Sequence, residues 1–193
     1  LEPGLRGGWN PFCSRHLPLI LGMAVNTSAV GHYRVTQPLT ELQAAGRVLG
    51  YMSHEMPSVA QVDRLSPDVV VIQGRYSESR LADIVQIKTF SKAMRIFELD
   101  DYIVDVPLKN EHRRAMPENM ESVLRRGIGM CDRLVVSTQP LAEALSSMHS
   151  DIRVVPNMLA PHMWNGLKSL RRSSGKPRIG WGGGTSHRGD LEL

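Results

Sequence analysis

The chain has 193 residues, 41% hydrophobic and 22% charged, so it can bury a real core and is not a disordered segment. Its net charge of +4 and pI near 9.3 are too mild an excess to mark a nucleic-acid binder. The two cysteines, Cys13 and Cys131, lack metal-ligand spacing, which fits free thiols in a reducing, cytoplasmic setting; no apolar run approaches the roughly 20 residues of a membrane span.

Residues 1–16, rich in Gly, Pro and Arg, carry no period and read as a flexible leader. LILGMAV (19–25) is a continuous apolar run, the pattern of a strand covered on both faces. A loop, NTSAVGHYRV, leads into a helix over 37–46, with Leu39, Leu42 and Ala45 at helical spacing and Gly46 as its stop. RVLGYMS (47–53) is the second strand, followed by a short helix in SVAQVDRL. DVVVIQG (68–74) is the third strand, rich in β-branched residues and ended by glycine. A helix over 79–93 places Leu81, Ile84, Val85 and Lys88 on one side, and MRIFELD (94–100) is the fourth strand.

After a polar stretch, MPENMESVLRRGIGMC (116–131) reads as a helix with Pro117 in its first turn. DRLVVST (132–138) is the fifth strand, 140–148 a helix, and DIRVVPN (151–157) the sixth strand. Residues 158–176 resemble a linker, and PRIGWGG (177–183) reads as a seventh strand. Alternating strand and helix predict an α/β protein with a doubly wound, Rossmann-like parallel sheet. The first six strands make one domain over 17–157, and residues 177–193 begin another.

Ligands of such sheets bind outside the carboxyl ends of the strands, so the residues after each strand are the candidates. After the first strand come Gly31, His32, Tyr33 and Arg34, beside a helix start whose amides attract anions. A lone Gly–helix junction serves structure as readily as function, and single histidines such as His32 and His112 are commonly surface residues. Asp100 and Asp101 end the fourth strand; they suit sugar hydroxyls or a general base, or one caps a turn while the other is solvated. Near the end stand Gly183, Gly184, Thr185, Ser186 and Arg188, with glycines for phosphate oxygens, hydroxyls for a cap, and a cation. They match neither GxGxxG nor a P-loop. No metal site is expected.

Four segments carry a resemblance: GHYRVTQPLTELQAAG, IFELDDYI, CDRLVVSTQPLAEAL and VVPNML; RIGWGGGTSHRGDLEL adds a fifth. In this order they resemble the N-terminal half of a two-domain, GT-B-type glycosyltransferase of the bacterial family-4-like kind. The resemblance implies an acceptor-binding domain followed by the start of a donor-binding domain. It implies that Gly31, His32, Tyr33 and Arg34 line the acceptor side and approach the donor phosphates. Asp100, Asp101 and His112 would face the cleft as catalytic candidates, and Gly183, Gly184, Thr185, Ser186 and Arg188 would open the donor diphosphate site. No cofactor is implied beyond a nucleotide-diphosphate sugar as donor substrate. The acceptor would be a glycan, a lipid-linked sugar or a protein, as in polysaccharide biosynthesis.

The rest of the donor domain would come from further chain or from a companion chain, and the isolated chain is expected to be inactive. On this reading Arg34→Ala cuts turnover with little loss of stability. The alternative is a non-catalytic Rossmann-like module that binds a sugar or nucleotide. A third reading is assembly through the edge of the seventh strand. No nucleic-acid partner is expected, and peripheral membrane contact through a basic face would need an amphipathic stretch that the sequence does not display.

Overall fold

The structure is a computed structural model that describes residues 16–74, 77–106, 110, 113, 116–168, 180 and 182. Six apolar runs form parallel strands: β1 (Leu19–Met23), β2 (Leu49–Ser53), β3 (Val69–Gln73), β4 (Met94–Leu99), β5 (Arg133–Val136) and β6 (Ile152–Val154). Their order is β2-β1-β3-β4-β5-β6, every pairing parallel. This is the α/β, doubly wound arrangement expected from the alternation of elements. The order reverses between β1 and β3, the position at which ligands of such sheets commonly bind. The seventh strand expected at 177–183 lies outside the described residues apart from Gly180 and Gly182.

The main core lies on one face of the sheet. Leu21, Met23, Val70, Ile72, Phe97, Leu99, Leu134 and Val136 alternate toward that face and are buried. Against them pack Val62 of α3 (Val59–Leu65), Leu81, Ile84 and Ile87 of α4 (Glu78–Phe90), and Val123, Leu124 and Ile128 of α5 (Met120–Gly129). Leu141 of α6 (Gln139–Ala144) completes the cluster. The buried stripe of α4 differs from the expected one: Ile87 is inside and Val85 is 48% exposed. Helix α5 begins at Met120, three residues after Pro117, whose carbonyl accepts from the Met120 N–H. Polar caps set other helix starts. Ser58 and Gln61 form a reciprocal capping box on α3, and the Thr138 hydroxyl accepts from Leu141 N–H on α6.

The segment expected as a loop over 26–35 is largely helical. Helix α1 (Ala29–Gly31), a π-helical turn (His32–Thr36) and α2 (Gln37–Ala44) follow one another directly. Pro38 explains both the misreading and the π turn. It has no N–H to give and its ring crowds the carbonyl of the preceding turn. A widened turn, closed by Gln37 N–H to His32 O, accommodates it. Val35 and Leu39 of this helix cover Gly22 on the sheet face opposite the main core. Gly46, just past the helix, has φ +64°, which suits its expected role as a stop.

Candidate functional site

The carboxyl ends of β1, β3, β4 and β6 meet around one buried ion pair. Glu98 lies on β4 with its side chain on the α1–α2 face, directly beside Gln73 in the β3–β4 register. A carboxylate inside a doubly covered sheet must be paired and hydrogen-bonded. Arg34 of the π turn supplies the partner: its Nε donates to Glu98 Oε1 at 2.5 Å, and both side chains are about 2–3% exposed. Gln73 Nε2 donates to Glu98 Oε2 at 2.8 Å and to Val30 O at 3.2 Å, while Gln73 Oε1 accepts from Val25 N–H at 3.1 Å.

The same arginine reaches the other side of the fold. Arg34 Nη1 donates to Val155 O at 2.5 Å and to Asn157 Oδ1 at 3.0 Å, just past β6. Three residues on, Gln37 Nε2 donates to Met158 O at 2.9 Å. One helix therefore holds the exits of β1, β4 and β6 together. Burial raises the Glu98 pKa to about 7, against the opposing pull of Arg34 and the Gln73 hydrogen bond.

The structure gives Arg34 partners within its own chain. It is 7% exposed and bonded to three of them. These bonds tie neighbouring segments together, so the loss of Arg34 should also lower the stability of the fold.

Gly31, His32 and Tyr33 stand where the sequence placed them, at the carboxyl end of β1. Asn26 organises the turn. Its Oδ1 accepts from Ser28 N–H at 3.0 Å and Ser28 Oγ at 2.7 Å, and lies 3.4 Å from Gly31 N. A Cβ on Gly31 would lie 1.9 Å from the Asn26 carbonyl oxygen, so only glycine fits. Gly31→Ala is expected to cost about 1–3 kcal/mol through overpacking. Gly129, whose Cβ would meet nothing within 4 Å, is the control. Urea midpoints should separate the two alanine variants; equal midpoints would overturn the close approach. His32 and Tyr33 are half-buried and meet edge to face, with ring centroids 5.0 Å apart. His32 Nε2 is buried without a hydrogen-bond partner among the described residues.

Asp100 and Asp101 follow β4. Asp101 is exposed and Asp100 half-buried, with its pKa raised by burial and then by the Asp101 charge. The Ser137 hydroxyl donates to the Asp100 carbonyl at 2.9 Å and fixes the β4 exit to the end of β5. Asp100 also feels the field of Arg34, so the β4 exit and the β1 helix share one electrostatic neighbourhood. An ionised carboxyl here can accept a proton from a hydroxyl. His112, Gly183, Gly184, Thr185, Ser186 and Arg188 lie outside the described residues.

Glu98 was not among the sequence candidates. The available signal was a charged residue within the apolar run IFEL of an interior strand. Cys131 is buried, which pushes its thiol up to about 12 and leaves it no thiolate at neutral pH. Among the described residues, no group of three or more His, Cys, Asp or Glu side chains is placed to hold a metal ion. No helix among them is long and apolar enough to cross a membrane. Compared with known proteins, the chain matches no family model, no curated protein and no solved structure.

Proposed function

We propose that this chain forms the acceptor side of the cleft of a GT-B-type glycosyltransferase, which moves a sugar from a nucleotide-diphosphate sugar to a glycan, lipid-linked or protein acceptor in the cytoplasm. The observation that carries the reading is the half-buried Asp100, with its raised pKa, in the electrostatic neighbourhood of the β1 helix. Asp100 takes the proton of the attacking acceptor hydroxyl, Asp101 holds a neighbouring hydroxyl, and Gly31, His32 and Tyr33 form the wall opposite. His112 joins them from the polar stretch after β4. Gly183, Gly184, Thr185, Ser186 and Arg188 meet the donor diphosphate, and a second domain or companion chain completes that site. Arg34 and Glu98 act from behind by fixing the walls.

One observation favours a second reading, a sugar- or nucleotide-binding module without chemistry. The commitment of Arg34 to Glu98, Val155 and Asn157 occupies one of the two cations expected near the leaving phosphates. Amide chemical-shift mapping with oligosaccharides tests the shared site. Shifts should cluster at residues 26–33 and 100–102. Shifts confined to the outer surfaces of α4 and α5 would contradict both readings, and turnover separates them.

A further inference from the structure

We propose that β2 is a dimerisation edge, at which two copies of this chain pair antiparallel across a two-fold axis at Tyr51 and join their sheets. β2 forms one edge of the six-stranded sheet. Leu49 N–H donates to Pro18 O, on the side of β1. Successive residues of a parallel strand turn their backbone groups to opposite sides. Leu49, Tyr51 and Ser53 therefore serve β1, and the N–H and C=O groups of Gly50 and Met52 point outward. Among the described residues, none pairs with that outer side.

The side chains leave the same edge bare. Tyr51 and Ser53 are in register with Leu21 and Met23, so they lie on the main-core face of the sheet. The core does not extend over this strand: Leu49 is 39% exposed and Tyr51 44%. Edge strands are commonly guarded by lysine, proline or a bulge, and LGYMS contains none of them. The opposite edge of the sheet shows the contrast. β6 has three residues and presents Arg153, whose side chain is 63% exposed and bonded to Asp151. That edge is short and charged, whereas β2 is longer, apolar and open.

Charge selects the partner and its direction. Arg47 and Glu55 each stand two residues beyond an end of β2; both are exposed, and neither makes an ion pair with a described residue. A second copy laid antiparallel brings each Arg47 to the end that carries Glu55. A parallel copy would set like charges together. The alternation of the backbone then gives the register. Gly50 exchanges hydrogen bonds with Met52 of the second copy, and Tyr51 meets its own counterpart between them as a close, non-hydrogen-bonded pair. Leu49 faces Ser53, and Arg47 faces Glu55, each twice by symmetry. A foreign strand would find the same backbone groups, but the chain itself supplies the matching order of charges when reversed. The surface does not rest on the transferase reading.

The test is sedimentation equilibrium of the 193-residue chain from micromolar to sub-millimolar concentration. A reversible monomer–dimer equilibrium built on the 21.5 kDa chain is expected. Tyr51→Lys places two ammonium groups on the two-fold axis and should abolish the dimer while the far-UV circular dichroism is kept. Arg47→Glu should weaken the dimer by about tenfold, because two like-charge pairs replace two opposite ones. Arg47→Glu together with Glu55→Arg should restore it. Cross-linking reads the register. In a Cys13→Ser background, Tyr51→Cys should oxidise to a linked dimer, whereas Leu49→Cys, about 13 Å from its counterpart, should not. A monomer throughout the range, a dimer indifferent to Tyr51→Lys, or failure of the double exchange to restore pairing would each overturn the proposal. Equal cross-linking at positions 49 and 51 would overturn the two-fold axis at Tyr51.

Discussion

Replacing Arg34 with alanine is expected to cost the fold about 3–5 kcal/mol at pH 8, measured by urea unfolding. The figure comes less from the pair itself than from what remains. A buried ion pair contributes little net stability, because desolvating both charges offsets their attraction. Removing one member leaves Glu98, 1% exposed, as a carboxylate with only Gln73 to donate to it. Val155 O and Asn157 Oδ1 lose their donor at the same time. The cost should shrink at pH 5, where Glu98 takes a proton. Arg34→Lys should recover only part, since one ammonium cannot reproduce the fork that serves Glu98 through Nε and the β6 exit through Nη1. A loss below about 1 kcal/mol for Arg34→Ala would mean that the network is not closed in solution.

The second large effect is a pH dependence of stability. The Glu98 pKa is raised from 4.5 to about 7 in the folded chain, chiefly by burial, against Arg34. The folded state therefore holds this proton more tightly than the unfolded state does. The contribution is fully present below 4.5 and is lost as pH rises through 7. Between pH 5 and pH 8 it amounts to about 2–3 kcal/mol. The groups that shape it are Arg34, Gln73 and Asp100, and the raised Asp100 pKa contributes with the same sign. Glu98→Gln keeps an acceptor for Arg34 and removes the titration. The wild-type chain should therefore lose stability relative to Glu98→Gln as pH rises across this window. Parallel stability–pH curves would contradict the assignment.

These two effects rest on residues that the sequence left in the background. The strands were legible because interior parallel strands need unbroken apolar runs, and VVVIQ and RLVV have no other economical fold. The helix after β1 was half hidden, since Pro38 reads locally as a boundary while the π turn absorbs it. Gly31, Asp100 and Asp101 were legible as strand-end residues. The partnership of Arg34 was not, because Glu98 is 64 residues away and Val155 is 121 away. Local periodicity carries no information about pairing across that distance. Glu98 itself left a trace, since a charge inside IFEL must find a cation, but nothing local named Arg34. Likewise, 158–168 reads as linker by composition, and only the hydrogen bond from Gln37 and the buried Ala160 show it held against the domain.

The transferase reading is the central claim, and turnover tests it most directly. The gene product as the cell makes it should be incubated with a panel of nucleotide-diphosphate sugars and acceptor glycans, and nucleoside diphosphate release measured with the mass of the acceptor. The account predicts release that depends on acceptor, with the acceptor gaining one sugar. Absence of release and of transfer across the panel, while the same sugars shift the amides of residues 26–33 and 100–102, would contradict it and leave a binding module.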